Sequence, residues 1–125
     1  ICLLIWPWVL MMKLAKKYKI KVAFGTDLVG SMKLKAAELQ EFTNRTKWFT
    51  PAEILAQATS VNGELLALSG PRNPYPGKLG VIEPGALADL LLVDGNPLEN
   101  IELMTDADKN FVLIMKDGVI YKNTL

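Results

Sequence analysis

The feature that most constrains the fold is a short apolar segment, residues 20–24, that runs into the turn Gly25-Thr26-Asp27. Only Lys21 interrupts its apolar character, which is typical of a parallel strand that is covered on both faces. The sequence therefore predicts one strand within a mainly helical region. Asp27 follows this strand directly, and the residue pattern alone leaves open whether its carboxylate does chemistry or only caps the turn.

The first 70 residues carry helical patterns around this strand. Apolar side chains recur at three- and four-residue spacing, and Thr50, Pro51 and Glu53 form the signature of a capping box, which marks the start of a helix. Asn62 and Glu64 are interpreted as helix-boundary residues. Helices are expected over residues 8–18, 30–43, 51–60 and 63–68.

The remaining residues change to short apolar runs that are separated by turn residues. Asp117 and Gly118 give a strong signal for a two-residue hairpin turn. Asp89 and Asp94 stand in turn contexts, where a carboxylate more often caps the turn than catalyses. Strands are expected over residues 79–82, 88–93, 112–115 and 119–121.

The absence of histidine limits the chemistry that this chain can perform by itself. Most catalytic zinc sites use two or three histidine ligands, and Ser-His-Asp machinery also requires one. The single cysteine, Cys2, cannot form a disulfide within the chain and fits a reducing compartment, so a cytoplasmic protein is expected.

The charge pattern indicates neither a nucleic-acid partner nor a membrane. The formal net charge is +1, and the lysines between residues 13 and 21 are interpreted as the solvated face of a helix. The opening run of 12 apolar residues is shorter than the roughly 18 residues that a membrane span requires. We therefore expect no nucleic acid and no membrane as partners.

Several stretches resemble one protein family, in the order that the family has them. Residues 77–93, GKLGVIEPGALADLLLV, with the continuation DGNPLENI, resemble the C-terminal end of metal-dependent amidohydrolases. The nearest branch is that of imidazolonepropionases and Xaa-Pro or Xaa-Arg/Lys dipeptidases. The ending VLIMKDGVIYKN is similar to the closing hairpin of the family, KVAFGTD to its eighth barrel strand, and TPAEILAQATSVNGELLAL to the helices after that strand.

The resemblance implies an α/β fold. Residues 1–70 would form the last strand and helices of a (β/α)8 metal-dependent hydrolase barrel, and residues 71–125 the C-terminal part of a small composite β-sandwich. The chain would be a C-terminal fragment of a zinc-dependent amidohydrolase that hydrolyses a C–N bond. A dipeptide or another small molecule, such as a cyclic amide or imidazolone, would be its substrate, and the enzyme is expected to be a homo-oligomer.

The resemblance also assigns a role to Asp27. The matching aspartate of the family contacts the zinc centre, takes a proton from the attacking metal-bound water and passes it to the leaving amine. Asp27 is therefore the expected catalytic residue and metal contact. The family's histidine ligands lie on barrel strands that this sequence does not contain. Zinc is expected only in the complete enzyme, no cofactor is expected in the fragment, and the fragment alone is expected to be inactive.

An alternative interpretation is a β-rich interaction or scaffold module that has no catalytic role. An upstream reading frame with a His-x-His pair near its start would favour the enzyme over this module. Without neighbouring strands, residues 20–24 and the apolar run 1–12 would expose unpaired edges. We expect the isolated chain to self-associate through these segments or to leave them poorly ordered.

Overall fold

The computed structural model describes residues 5–26 and 37–125 of the chain. The predicted site residue Asp27, the cysteine Cys2 and the first part of the second predicted helical region lie outside these residues. Within the described ranges, helices dominate up to residue 67 and the strands follow after residue 89. No helix in these ranges has the length and the apolar character that crossing a membrane requires.

The first helix, α1 (Ile5–Lys17), confirms the first predicted helix. It buries Met12, which is 4% exposed, in the core and leaves its lysines at the surface. Lys19 follows with a φ of 53°, and the N–H of Ile20 donates to the carbonyl of Ala15 at 2.9 Å. A left-handed residue with such a bond satisfies the open carbonyls at the end of a helix.

The second helical region is short and irregular in its described part. Helix α2 (Glu41–Asn44) lies between two 3-10 turns, Glu38–Gln40 and Arg45–Lys47. It buries Phe42 in the core. The turn that follows buries Arg45, a charged residue at the base of the candidate site.

A longer rod follows in which α3 (Pro51–Ala56), a π-helical turn (Gln57–Val61) and α4 (Asn62–Ala67) continue into one another. The predicted capping box is present: Thr50 Oγ1 accepts from the N–H of Glu53 at 3.3 Å, and the Glu53 carboxylate accepts from the N–H of Thr50 at 2.7 Å. That backbone hydrogen bond is the main reason why the pKa of Glu53 lies below its ordinary value of 4.5. The two helices predicted here are therefore joined through a widened turn.

Two predicted strands are wrong. Residues 20–24 and 79–82 form no strand, because ladder hydrogen bonds require a second backbone alongside and the described strands pair only with one another. Backbone groups of Ala23 and Phe24 in the first segment bind side chains instead. Near the second segment there is a single bridge, between Lys78 and Ala86.

The three strands β1 (Leu90–Val93), β2 (Phe111–Lys116) and β3 (Val119–Asn123) form an antiparallel sheet in that order, and they confirm the other predicted strands. Asp117 and the glycine after it have φ values of 49° and 76°, as a two-residue hairpin turn of this kind requires. The carboxylate of Asp89 accepts from the N–H of Asp117 at 2.7 Å. Asp89 therefore caps a turn, but this turn is the hairpin 28 residues later and not the predicted one beside its own strand.

The connection from β1 to β2 carries part of the core and was not predicted. It contains a 3-10 helix, Ile101–Thr105, and helix α5 (Ala107–Asn110). The buried apolar residues of the described chain form one cluster: Met12, Phe42, Phe49, Ile54, Ile101, Met104 and Phe111. Because this cluster takes side chains from both predicted parts, the helical rod and the sheet region pack on shared apolar residues.

Candidate functional site

The segment before Asp27 rests on a buried cation, Arg45, which is 2% exposed. Its Nε donates to the carboxylate of Glu41 at 2.7 Å, one helical turn earlier. Its Nη1 donates to Oε1 of Gln57 at 2.8 Å, in the π-helical turn. A buried charge is tolerated when it is paired and hydrogen-bonded in this way.

The same guanidinium holds the backbone of the segment. Arg45 Nη1 also donates to the carbonyl oxygen of Ala23 at 3.1 Å, and Nη2 donates to that of Gly25 at 3.4 Å. The guanidinium carbon lies 4.6 Å from the centre of the Phe24 ring, and that ring packs on Phe42 with 4.6 Å between centroids. Arg45 thus ties the segment to the core by hydrogen bonds and by a cation–π contact.

A second side chain binds the residue between these two carbonyls. Oδ1 of Asn62 accepts from the N–H of Phe24 at 2.9 Å, and Nδ2 of Asn62 donates to the carbonyl of Phe24 at 3.0 Å. One side-chain amide therefore satisfies both backbone groups of Phe24. Asn62 is the first residue of α4, so the interpretation as a helix-boundary residue is correct but omits this contact.

Two glycines, Gly63 on the rod and Gly80 on the neighbouring loop, allow that loop to pack against the rod that carries Gln57 and Asn62. A Cβ on Gly80, which has a φ of +71°, would lie 2.2 Å from the carbonyl oxygen of Thr59, and a Cβ on Gly63 would lie 2.3 Å from that of Leu79. Only glycine permits backbones to approach so closely. The loop at residues 79–80 therefore packs directly on the π-helical turn.

The surroundings of the segment are apolar on one side and charged on the other. A groove of about 490 Å³ runs beside it and is lined mainly by α1, the segment itself and Leu65. The exposed ammonium of Lys21 pairs with the carboxylate of Glu64. Thr26, the last described residue before Asp27, is half-buried.

The residues that the structure describes do not form a metal centre by themselves. The chain contains no histidine, and in residues 5–26 and 37–125 no three Cys, Asp or Glu side chains come together as a set that could hold a metal ion. A zinc site of the common kind, with several histidine ligands, cannot be built from this sequence alone.

The signals for Arg45, Gln57 and Asn62 in the sequence are weak. Glu41 and Arg45 stand at the i, i+4 spacing of a helical ion pair, and this spacing would have predicted their contact. Gln57 and Asn62 carry no comparable signal, because their partners lie far away along the chain.

Comparisons with known proteins place the chain in a family. The amidohydrolase family profile matches residues 9–122. No curated protein matches the chain significantly. Among solved structures, an amidohydrolase is similar with a TM-score of 0.79 and 36% identity, over 92% of this chain and 26% of that chain.

Two peptidase structures are also similar. A prolidase complexed with N-methylphosphonate-L-proline has a TM-score of 0.75 and 32% identity, over 91% of this chain and 26% of that one. A Xaa-Pro dipeptidase with methionine bound in its active site has a TM-score of 0.68 and 32% identity, over 90% and 25%. The chain thus spans about a quarter of the length of these proteins. The family predicted from the sequence is confirmed: this chain belongs to the amidohydrolase family.

Proposed function

We propose that this chain is the C-terminal part of a metal-dependent hydrolase that cleaves the C–N bond of a dipeptide-like amide, with Xaa-Pro dipeptides as the first substrates to test. The family match over residues 9–122 carries this proposal. The prolidase and the Xaa-Pro dipeptidase among the similar structures support the choice of substrate. This chain spans only about a quarter of the length of those two proteins, which supports the view that it needs further polypeptide to act.

Asp27 is the proposed catalytic residue. Its carboxylate would take the proton that a water molecule loses on attacking the amide carbon, and would then give that proton to the leaving nitrogen. A carboxylate is suited to this work when it lies within hydrogen-bond reach of the water. The proposal is supported by the position of Asp27 directly after the segment that Arg45 and Asn62 hold.

In the complete enzyme, zinc would be held by Asp27 together with residues from the rest of the polypeptide. The histidine-free sequence supports this, because the chain lacks the usual zinc ligands. We accordingly propose that the 125-residue chain is inactive alone and takes up no stoichiometric zinc. Metal analysis of the purified chain tests this directly, and one equivalent of tightly bound zinc would contradict it.

The experiment that tests the function uses the complete polypeptide from the full reading frame. It is assayed on a panel of Xaa-Pro dipeptides, other dipeptides and cyclic amides, and the Asp27→Asn variant is compared with wild type. Loss of a general base is expected to lower kcat by roughly 10²–10⁴-fold.

The matched control is Asp94→Asn, an exposed turn carboxylate in the sheet region, which should retain the wild-type rate. Equal rates for wild type and Asp27→Asn would overturn the role of Asp27. A complete polypeptide that hydrolyses no member of the panel would contradict the proposed reaction.

A further inference from the structure

We propose that Asn62 is a latent deamidation site that its contact with Phe24 protects, an inference that does not rest on the proposed function. Of the seven asparagines in the sequence, only Asn62 precedes a glycine, Gly63. Asparagine is a thermolabile residue. A following glycine exposes the asparagine side chain to attack by the backbone, because glycine has no side chain and rotates freely.

The reaction is a hydrolysis that needs only water. The backbone nitrogen of Gly63 attacks Cγ of Asn62, and this nitrogen loses its proton as the new N–Cγ bond forms. The Cγ–Nδ2 bond breaks, and Nδ2 takes up a proton and leaves as ammonia, so that a cyclic succinimide remains. Water then adds to one succinimide carbonyl and breaks its bond to the nitrogen, which regains a proton. The product is aspartate or isoaspartate, with a carboxylic acid that ionises at neutral pH.

Both polar atoms of the Asn62 side chain are occupied in the folded chain. Oδ1 accepts from the N–H of Phe24 at 2.9 Å, and Nδ2 donates to the carbonyl of the same residue at 3.0 Å. These bonds fix the plane of the side-chain amide, whereas the reaction requires Cγ to turn toward the nitrogen of Gly63. Two ordinary hydrogen bonds together disfavour such an open form by about 30-fold.

The backbone of Asn62 adds to this protection. Closure of the succinimide places Cγ and the Gly63 nitrogen in one small planar ring, and this requires the backbone to leave the helical ψ of −39° that Asn62 has at the start of α4. Asn62 is half-buried, so water reaches it once the contact opens. Reaction in the native protein therefore requires a local opening in which Asn62 separates from Phe24.

The fold needs both residues of this reactive pair. A Cβ on Gly63 would lie 2.3 Å from the carbonyl oxygen of Leu79, so a larger residue does not fit there. The contact with Phe24 needs one acceptor and one donor side by side, which only the primary amides of asparagine and glutamine offer. Glutamine is one methylene longer. A substitution that made the pair inert would therefore break a contact of the fold.

Deamidation would weaken the attachment of Phe24 irreversibly. A carboxylate in place of the amide still accepts from the N–H of Phe24 but has no donor for its carbonyl, so two oxygens would face each other. The loss of one hydrogen bond should lower the ratio of folded to unfolded chain by at least about fivefold.

The main experiment follows deamidation at each asparagine of the complete polypeptide by peptide mapping and mass spectrometry at mildly alkaline pH. In urea, where circular dichroism shows an unfolded chain, Asn62 should react faster than the other asparagines of residues 1–125. Without urea, its rate should be at least about 30-fold lower. A synthetic peptide of residues 60–65, incubated in both solutions, corrects for the direct effect of urea on the reaction.

Two results of this experiment would overturn the proposal. Equal corrected rates at Asn62 in the folded and unfolded states would mean that the contact with Phe24 gives no protection. A rate in urea no higher than that of Asn44, which precedes an arginine, would mean that Asn62 is not a reactive site. Neither result depends on the activity of the enzyme, so the proposed function is tested separately.

Arg45→Met tests whether release of the segment around Phe24 opens the site. The substitution removes the donors to the carbonyls of Ala23 and Gly25 but leaves Asn62 and its neighbour unchanged. After subtraction of the rate from the globally unfolded fraction, deamidation at Asn62 should be at least about fivefold faster than in wild type. Lys47→Met, an exposed position in the same turn, is the matched control and should keep the wild-type rate. A wild-type rate in folded Arg45→Met would overturn the link to the segment.

If Arg45→Met does not fold, wild type in urea below its unfolding midpoint serves instead. A local opening exposes little surface, so the rate at Asn62 should rise with urea less steeply than the globally unfolded fraction. A rate that simply follows the unfolded fraction would show that global unfolding, and not release of the segment, opens the site.

Asn62→Asp imitates the aspartate product. Urea denaturation of this variant should give a ratio of folded to unfolded chain at least about fivefold below that of wild type. Asn123→Asp is the matched control, because Asn123 is exposed and its side chain only accepts from the N–H of Leu125, which aspartate also does. Equal stability of Asn62→Asp and wild type would overturn the predicted loss of attachment.

Discussion

Arg45→Met is the substitution that most directly tests how the segment before Asp27 is anchored. Methionine fills much of the space of the arginine stem but carries neither charge nor donors. It leaves the Glu41 carboxylate, the Gln57 side-chain oxygen and the Ala23 carbonyl without the donor that each has in the wild type. The cation–π contact with Phe24 is lost in the same step.

The magnitude follows from the burial of these groups. The side chain of Arg45 is 3% exposed and that of Glu41 is 19% exposed, so neither group is replaced by bulk water without rearrangement. Removing one partner from a buried ion pair destabilises a protein by about 3–5 kcal/mol. Because Glu41 retains some contact with solvent, we expect a loss near the lower limit, about 3 kcal/mol.

Urea denaturation of the 125-residue chain, followed by circular dichroism, measures this loss. With a slope of about 1–3 kcal/mol per molar urea, the midpoint should fall by at least about 1 M. Lys47→Met is the matched control in the same 3-10 turn: Lys47 is exposed, so the change should stay within about 0.5 kcal/mol. A double-mutant cycle with Glu41→Gln should give a coupling energy of at least about 1 kcal/mol.

The result that would refute this reasoning is an Arg45→Met chain that loses less than about 1 kcal/mol and shows no coupling to Glu41. Such a result would mean that the buried guanidinium is tolerated and does not hold the segment. The two hydrogen bonds between Asn62 and Phe24 would then be the side-chain contacts that hold the segment.

Three further predictions concern the rod that supports the site. In thermal denaturation, Gly80→Ala should destabilise the chain by at least about 1 kcal/mol more than Gly85→Ala. Both glycines have a positive φ, but only a Cβ at Gly80 would collide with another backbone. Equal losses for the two variants would argue against the close contact. Thr50→Ala removes the helix cap and should lower the free energy of unfolding, measured by urea denaturation, by about 1 kcal/mol. An unchanged free energy of unfolding would mean that the cap contributes nothing. The pKa of Glu53 is lower in the folded state than its ordinary value, so the contribution of this carboxylate to stability is complete above pH 4.5 and is lost as the pH falls through the folded-state pKa. The variant Glu53→Gln should therefore remove this part of the acid dependence of unfolding. An unchanged dependence of stability on pH would contradict the assignment.

Local signals in the sequence predicted the elements that local chemistry determines. The capping box at Thr50 depends on residues three positions apart, and the hairpin at Asp117 depends on two adjacent residues, so both are visible in the sequence. The family was recognised for the same reason, since its motifs are contiguous. The barrel, the sandwich and the division at residue 70 remain predictions.

Contacts between distant residues were not predicted, and they are the ones that build the candidate site. Asn62 looks like an ordinary helix-boundary residue until the fold brings it to Phe24. Gln57 likewise has no sequence signal for its contact with Arg45, 12 residues away. The short connection at Ile101–Thr105 was missed because its irregular turns leave no clear period of three to four residues or of two.

The wrong strand prediction over residues 20–24 and the side-chain contacts of Ala23 and Phe24 have the same physical origin. The apolar pattern correctly identified a segment that belongs inside a protein, but a strand also requires a neighbouring backbone, which the described chain does not supply there. Buried backbone groups still need partners, and the groups at Phe24 and Ala23 find them in the side chains of Asn62 and Arg45. Side chains that replace strand pairing hold the segment at single residues, whereas a ladder of backbone hydrogen bonds would hold it along its length. A site that depends on them should therefore be sensitive to single substitutions far from its reacting atoms.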